Sequence, residues 1–92
     1  MHAGIDIAAA LGAAVYAAGD GVVVRAGYDK GYGWIVEIRH RGGFITRYAR
    51  LSKVWLSAGD SVSIGEHLGN IGRSGMATGY HLHFEVRKDG RL

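Results

Sequence analysis

Ninety-two residues, 48% of them hydrophobic and 21% charged, describe a single folded domain over residues 1–92 rather than a disordered tract. The absence of cysteine excludes disulfides and thiolate metal sites, and no apolar run approaches the length of a membrane span. The net charge of +3 comes from scattered Lys and Arg, which argues against a nucleic-acid partner and suits an acidic polymer such as a cell wall equally well as a plain solvated surface.

Sixteen glycines without a proline, spread between short apolar runs, predict many tight turns and an all-β fold. In chain order, His2-x-x-x-Asp6 first brings together two metal-ligand types. Met1 directly precedes His2, so the segment is expected to be a fragment of a longer chain. Ala18-Gly19-Asp20-Gly21-Val22-Val23-Val24 reads as a turn opening a strand, and Asp29-Lys30-Gly31 as a further turn. Gly33 to His40 alternates, with Ile35, Glu37 and Arg39 on one side and Trp34, Val36, Ile38 and His40 on the other. After Arg41-Gly42-Gly43, the run Phe44 to Leu51 sets Phe44, Thr46, Tyr48 and Arg50 against Ile45, Arg47, Ala49 and Leu51. Ala58-Gly59-Asp60-Ser61-Val62-Ser63-Ile64 then echoes residues 18–24, forty positions on, which suggests two similar β-units packed as an antiparallel sandwich or barrel-like core. Past the Gly-rich stretch from Gly72 to Gly79, His81 to Arg87 is the cleanest strand. Leu82, Phe84 and Val86 form its core face, and His81, His83, Glu85 and Arg87 the opposite one.

His81-x-His83 on a strand places two imidazoles on one face, about 6.5–7 Å apart at their Cα atoms. Both can then reach one ion, or one can ligate while the other attends a bound water. A catalytic zinc site takes about three protein ligands and leaves a position open for water. Two imidazoles and a carboxylate suit Zn²⁺ and also permit Fe²⁺ or Mn²⁺. Spacing alone leaves open which of His81 and His83 is the ligand, and a His-x-His strand is often an exposed polar face.

The flanking residues narrow the choice. His2-Ala3-Gly4-Ile5-Asp6-Ile7-Ala8 resembles the H-x-G-x-D-[IF]-A opening of the lysostaphin-like metallopeptidases, the M23 or LytM family. Gly72-Arg73-Ser74-Gly75-Met76-Ala77-Thr78-Gly79-Tyr80-His81-Leu82-His83-Phe84-Glu85-Val86 resembles the later signature of that family. Val15-Tyr16-Ala17-Ala18, Asp20-Gly21-Val22-Val23, Gly31-Tyr32-Gly33, Tyr48-Ala49 and Gly59-Asp60-Ser61-Val62 follow in the family's order between them. The resemblance implies Zn²⁺ held by His2, Asp6 and His83, with His81 working on the attacking water, and an endopeptidase acting on peptide cross-links of bacterial peptidoglycan. It also implies a cell-envelope setting, periplasmic or secreted, and allows a regulatory protein partner.

One departure falls at the centre of the chemistry. The family's Tyr-x-His-Leu motif has its histidine at position 50, where this chain reads Tyr48-Ala49-Arg50-Leu51. Arginine exchanges no proton near neutral pH but can stabilise a developing oxyanion, so Arg50 is a candidate catalytic group of altered kind. Loss of an acid–base group costs about 10²–10⁴-fold in rate, so reduced activity is expected. The alternative is a catalytically degenerate relative that binds peptidoglycan or activates a partner hydrolase. A biotinyl- or lipoyl-carrier-like domain is a third reading, which needs a hairpin-tip lysine that neither Lys30 nor Lys53 supplies in a carrier-like setting. Tyr80 and Trp34, which replace the family's proline and asparagine, either line the groove or simply pack. His40 and His67 are expected to be polar and structural. Glu85 either orients His83 or pairs with an arginine.

Overall fold

The computed structural model describes residues 4–8, 10, 12–72 and 81–88, the first of these segments by its backbone. Eight strands account for most of them: β1 (Gly4–Ala8), β2 (Ala14–Tyr16), β3 (Gly21–Asp29), β4 (Gly33–Arg39), β5 (Phe44–Leu51), β6 (Ser61–Val62), β7 (His67–Asn70) and β8 (His81–Lys88). A six-stranded antiparallel sheet runs in the order β1-β8-β5-β4-β3-β6, and β2 and β7 form a second, two-stranded sheet. The all-β antiparallel expectation therefore holds.

The apolar halves of the alternating strands make the core between the sheets. Val36, Ile38, Tyr48 and Leu51 from the large sheet meet Val15, Leu68 and Ile71 from the β2–β7 side, and Phe84 and Leu82 of β8 pack against them. Trp34 joins the same cluster and stands edge-on to Tyr28, so its role is packing. The turn between β4 and β5 is a 3-10 turn at Arg41–Gly43, where Gly42 and Gly43 take φ of 85° and 82°. Side chains with a Cβ rarely adopt that backbone.

The two echoed segments meet each other. Gly21 pairs with Val62 and Val22 with Ser61, a reciprocal arrangement about a local two-fold. The Asp20 carboxylate accepts the Ile64 N–H at 2.6 Å and closes this join. Gly21 is required at the join, because a Cβ there would collide with the Arg39 carbonyl oxygen and stand 2.6 Å from Ile38 Cγ2.

A hydrogen-bond chain crosses the core edge. The Asp20 carbonyl can only accept, so His40 Nδ1 carries the hydrogen at 2.8 Å, and Nε2 lies 2.6 Å from the Thr46 hydroxyl. The Thr46 and Tyr48 hydroxyls are 2.8 Å apart, and Tyr48 accepts the Ala18 N–H at 2.9 Å. Burial pushes the Tyr48 phenol upward against these hydrogen bonds, so it stays protonated as the chain requires. Tyr48→Phe leaves the Ala18 N–H without its acceptor and Thr46 without one of its hydroxyl partners. The expected cost is about 1–3 kcal/mol, read as a lower midpoint in urea unfolding with an unchanged slope. An unaltered midpoint would show that water replaces the phenol at no cost.

Strict alternation breaks at one place. Tyr48 pairs with Val36 and Leu51 with Trp34, so Ala49 and Arg50 together oppose Ile35. This bulge returns Leu51 to the core, where it is fully buried, and sets Arg50 on the side of Ile35 rather than that of Tyr48. The sequence alternation, which grouped Arg50 with Tyr48 and Leu51 with Arg47, is corrected at these two positions. Arg50 adopts φ of 64°, alone among the described non-glycine residues in being positive.

Candidate metal centre

The site grows from the polar face of β8. Its neighbours are fixed by register: Asp6 of β1 stands opposite His83 on one side and Ala49 of β5 on the other. Residues paired in this way share a face of the sheet. His81 lies one alternation earlier, opposite Ala8, and Glu85 one later, opposite Gly4 and Arg47. The two ends of the chain thus converge on one stretch of β8, as the candidate ligands require. His2 lies outside the described residues, and Asp6 is placed by its register. Among the described residues no group of three or more ligand-type side chains stands together.

Beneath His83 runs a buried charged row. Arg47, whose side chain is 7% exposed, donates from Nε to Glu37 Oε2 at 2.6 Å and from Nη1 to Glu85 Oε1 at 3.0 Å. Arg25 extends the row to Glu37 at 3.7 Å and to Asp29 at 2.7 Å. The other Glu85 oxygen, Oε2, is 2.8 Å from His83 Nε2. Burial raises the Glu85 carboxyl, but hydrogen bonds from His83 and Tyr32 and the charge of Arg47 together outweigh it and hold the group below the usual carboxylate range. Glu85 is therefore ionised and can only accept, so His83 Nε2 carries the hydrogen, and of the two ring nitrogens Nδ1 is the one that could ligate an ion.

A buried carboxylate that fixes an imidazole tautomer is the outer support characteristic of metal-ligating histidine, and it raises the basicity of the ligating nitrogen. The residues fit a zinc ion on this ground, and His83 Nδ1 would be the nitrogen offered to it. Glu85 serves both roles considered for it, orienting His83 and pairing with Arg47. Tyr32 completes the support: its ring lies 5.6 Å from that of His83, and the Arg47 guanidinium sits 4.8 Å from its centroid. The sequence marked Tyr32 only as part of a Gly-Tyr-Gly turn. Nothing local in that motif signals a tyrosine reaching two strands away.

The bulge delivers Arg50 to this same face, one residue beyond Ala49, the partner of His83. Its N–H donates to the Tyr32 carbonyl at 2.9 Å, and its carbonyl accepts from Gly72 at 3.1 Å. Gly72 can carry no side chain there, since a Cβ would stand 2.6 Å from Ser52 Cα. The remaining histidines are elsewhere. His40 belongs to the core-edge chain, and His67 is exposed between the rings of Tyr16 and Trp55 with Nε2 at 3.1 Å from Asn70. Tyr80 lies outside the described residues.

The chain resembles known proteins along its length. A family model described as Peptidase family M23 matches residues 1–92. The peptidoglycan DD-endopeptidase ShyC of Vibrio cholerae is 39% identical over 89 residues, which are 97% of this chain and 21% of that protein. The DD-carboxypeptidase/endopeptidase Mpg of Neisseria meningitidis is 45% identical over 91 residues, 99% of this chain and 21% of that protein. A zinc-containing peptidase from Vibrio cholerae superposes with a TM-score of 0.91 at 38% identity, covering 96% of this chain and 27% of that one. The chain spans about a fifth of the length of the curated relatives it matches.

Proposed function

We propose, on the premise that this chain belongs to peptidase family M23, that it is a zinc-dependent endopeptidase cutting the peptide cross-links of bacterial peptidoglycan in the cell envelope. The observation that carries the reading is the buried Glu85 carboxylate locking His83 into the tautomer a metal ligand needs, directly opposite Asp6 in the sheet. His83, Asp6 and His2 would hold the ion. Zinc bound there polarises the scissile carbonyl and lowers the pKa of water.

The chain's own groups do the rest. Glu85, Arg47 and Tyr32 hold His83 in orientation. His81, on the same face of β8, takes a proton from the attacking water at an imidazole nitrogen and returns it to the departing amine as the C–N bond breaks. Ile35 and Ala49, both fully buried on this face, exclude water from the floor beside His83. Arg50 exchanges no proton and contributes hydrogen-bond donors to negative charge.

Digestion of purified peptidoglycan tests the reading. The zinc-loaded chain is expected to release cross-linked fragments, and a chelator to stop it. His81→Ala is expected to lower the rate by about 10²–10⁴-fold while zinc content is kept. Hydrolysis that survives the chelator would sink the metal assignment. Absence of hydrolysis with full zinc would favour the second reading, a non-cutting domain that binds peptidoglycan or activates a partner hydrolase, which the loss of a base at position 50 supports.

A further inference from the structure

Arg50 combines three properties that hydrolysis alone does not use. Its backbone sits at φ of 64°, a conformation that L side chains adopt at a cost. The bulge in β5 that creates this conformation transfers the residue from the core side to the face carrying His83. Its Nη1 is buried and finds no hydrogen-bond partner among the described residues. The carboxylates of that face whose side chains are described, Glu37 and Glu85, are occupied by Arg25, Arg47 and His83. A guanidinium nitrogen removed from water and left unpaired is unfavourable unless an anion joins it, and the planar fork of arginine matches a carboxylate.

We infer that Arg50 is the receptor for a substrate carboxylate, namely the free α-carboxylate of the residue that departs as the amine. The nitrogen is unsatisfied in the resting protein, so its partner must be charged in the bound substrate and not only in the transition state. Arg50 follows directly after Ala49, which pairs with His83, so a carboxylate it holds lies within a side chain's length of the ligand row. The α-carboxylate sits on the carbon that bears the departing nitrogen and is the substrate anion nearest the scissile bond. A carboxypeptidase by definition releases a residue carrying this group, and the relative Mpg is described as both carboxypeptidase and endopeptidase. Arg50 would then select bonds whose leaving residue has a free α-carboxylate over bonds in the interior of an unbranched peptide. This inference rests on the peptidase reading for the placement of the substrate.

The test compares acetyl-D-alanyl-D-alanine with its C-terminal amide. Both are titrated calorimetrically into the 92-residue chain, and both are offered as substrates to the zinc-loaded protein. The free acid is expected to bind about ten- to hundredfold more tightly, in line with a hydrogen bond to a charged group. That ratio should fall to about one in Arg50→Gln and stay partly in Arg50→Lys. Arg50→Gly, which suits the positive φ, gives the same answer should Arg50→Gln not fold. Equal binding of acid and amide, no measurable binding of either at millimolar concentration, or a ratio unchanged in the folded Arg50→Gln and Arg50→Gly variants each overturns the inference. A free-acid preference lost with Arg50 but accompanied by no hydrolysis supports it, and removes the peptidase reading instead.

Discussion

With His83 replaced by alanine, the chain is expected to lose zinc at physiological concentrations and to release nothing from peptidoglycan. Removing even the outer support of a metal-bound histidine costs about 10- to 100-fold in metal affinity or activity, and removing the ligand itself costs more. Glu85→Gln makes the finer comparison. The amide still fills the buried position but no longer accepts from His83 as a carboxylate does, so zinc affinity should fall by about 10- to 100-fold with the fold intact. Zinc per chain, measured by elemental analysis and by competition with a chromogenic chelator, reads both effects. A His83→Ala protein that still binds one zinc with unaltered affinity would remove β8 from the metal centre.

The second large effect falls on stability. Arg47→Ala takes the closest guanidinium from two acidic side chains at once, leaving Glu37 with Arg25 at 3.7 Å and Glu85, only 1% exposed, with His83 at 2.8 Å and Arg87 at 3.7 Å. Breaking a buried ion pair from one side costs about 3–5 kcal/mol, because the remaining charge keeps only weaker compensation. For a domain of this size each kcal/mol moves the melting temperature by about 4–8 °C, so a drop of roughly 12–40 °C is expected. Marginal total stability, about 5–15 kcal/mol, leaves such a variant close to unfolding at growth temperature. Replacing Arg47, Glu37 and Glu85 together by apolar residues of similar volume should recover much of the loss, although His83 then loses its support. Thermal unfolding followed by circular dichroism checks the pair of results. An Arg47→Ala protein that melts within a few degrees of the parent would mean that water reaches this row freely.

The two predictions touch one strand from its two sides, and the sequence exposed that strand well. In His81 to Arg87 apolar and polar residues alternate, which placed Leu82 and Phe84 against the core, but the same reading put Val86 there too, and Val86 is 46% exposed while Glu85 on the polar face is buried. The convergence of the chain's ends was legible only through the ligand motifs, and the register confirms it by pairing Asp6 with His83. The echo of residues 18–24 at 58–64 carried real information, since the two segments turn out to be ladder partners.

The bulge was not legible. Tyr48-Ala49-Arg50-Leu51 contains no glycine to announce a positive φ, so a two-residue period ran through it and misplaced Arg50 and Leu51. The depth of the Arg47–Glu85 row was hidden for a related reason. Charged residues on an alternating strand ordinarily mark the wet side, and only the third strand's contribution, Glu37, together with Tyr32 shows that this side is closed. The core-edge chain through His40 was invisible because it joins residues from three separate segments.

The strand order has a consequence for the nascent protein. β8 is the last of the strands to leave the ribosome, yet it lies inside the large sheet, between β1 and β5. Among the described residues β1 has no other ladder partner, so it must wait for the whole domain to be synthesised before it can dock. An unfinished chain therefore holds Asp6 and His83 apart, and the proposed metal centre stays unassembled until β8 has been synthesised.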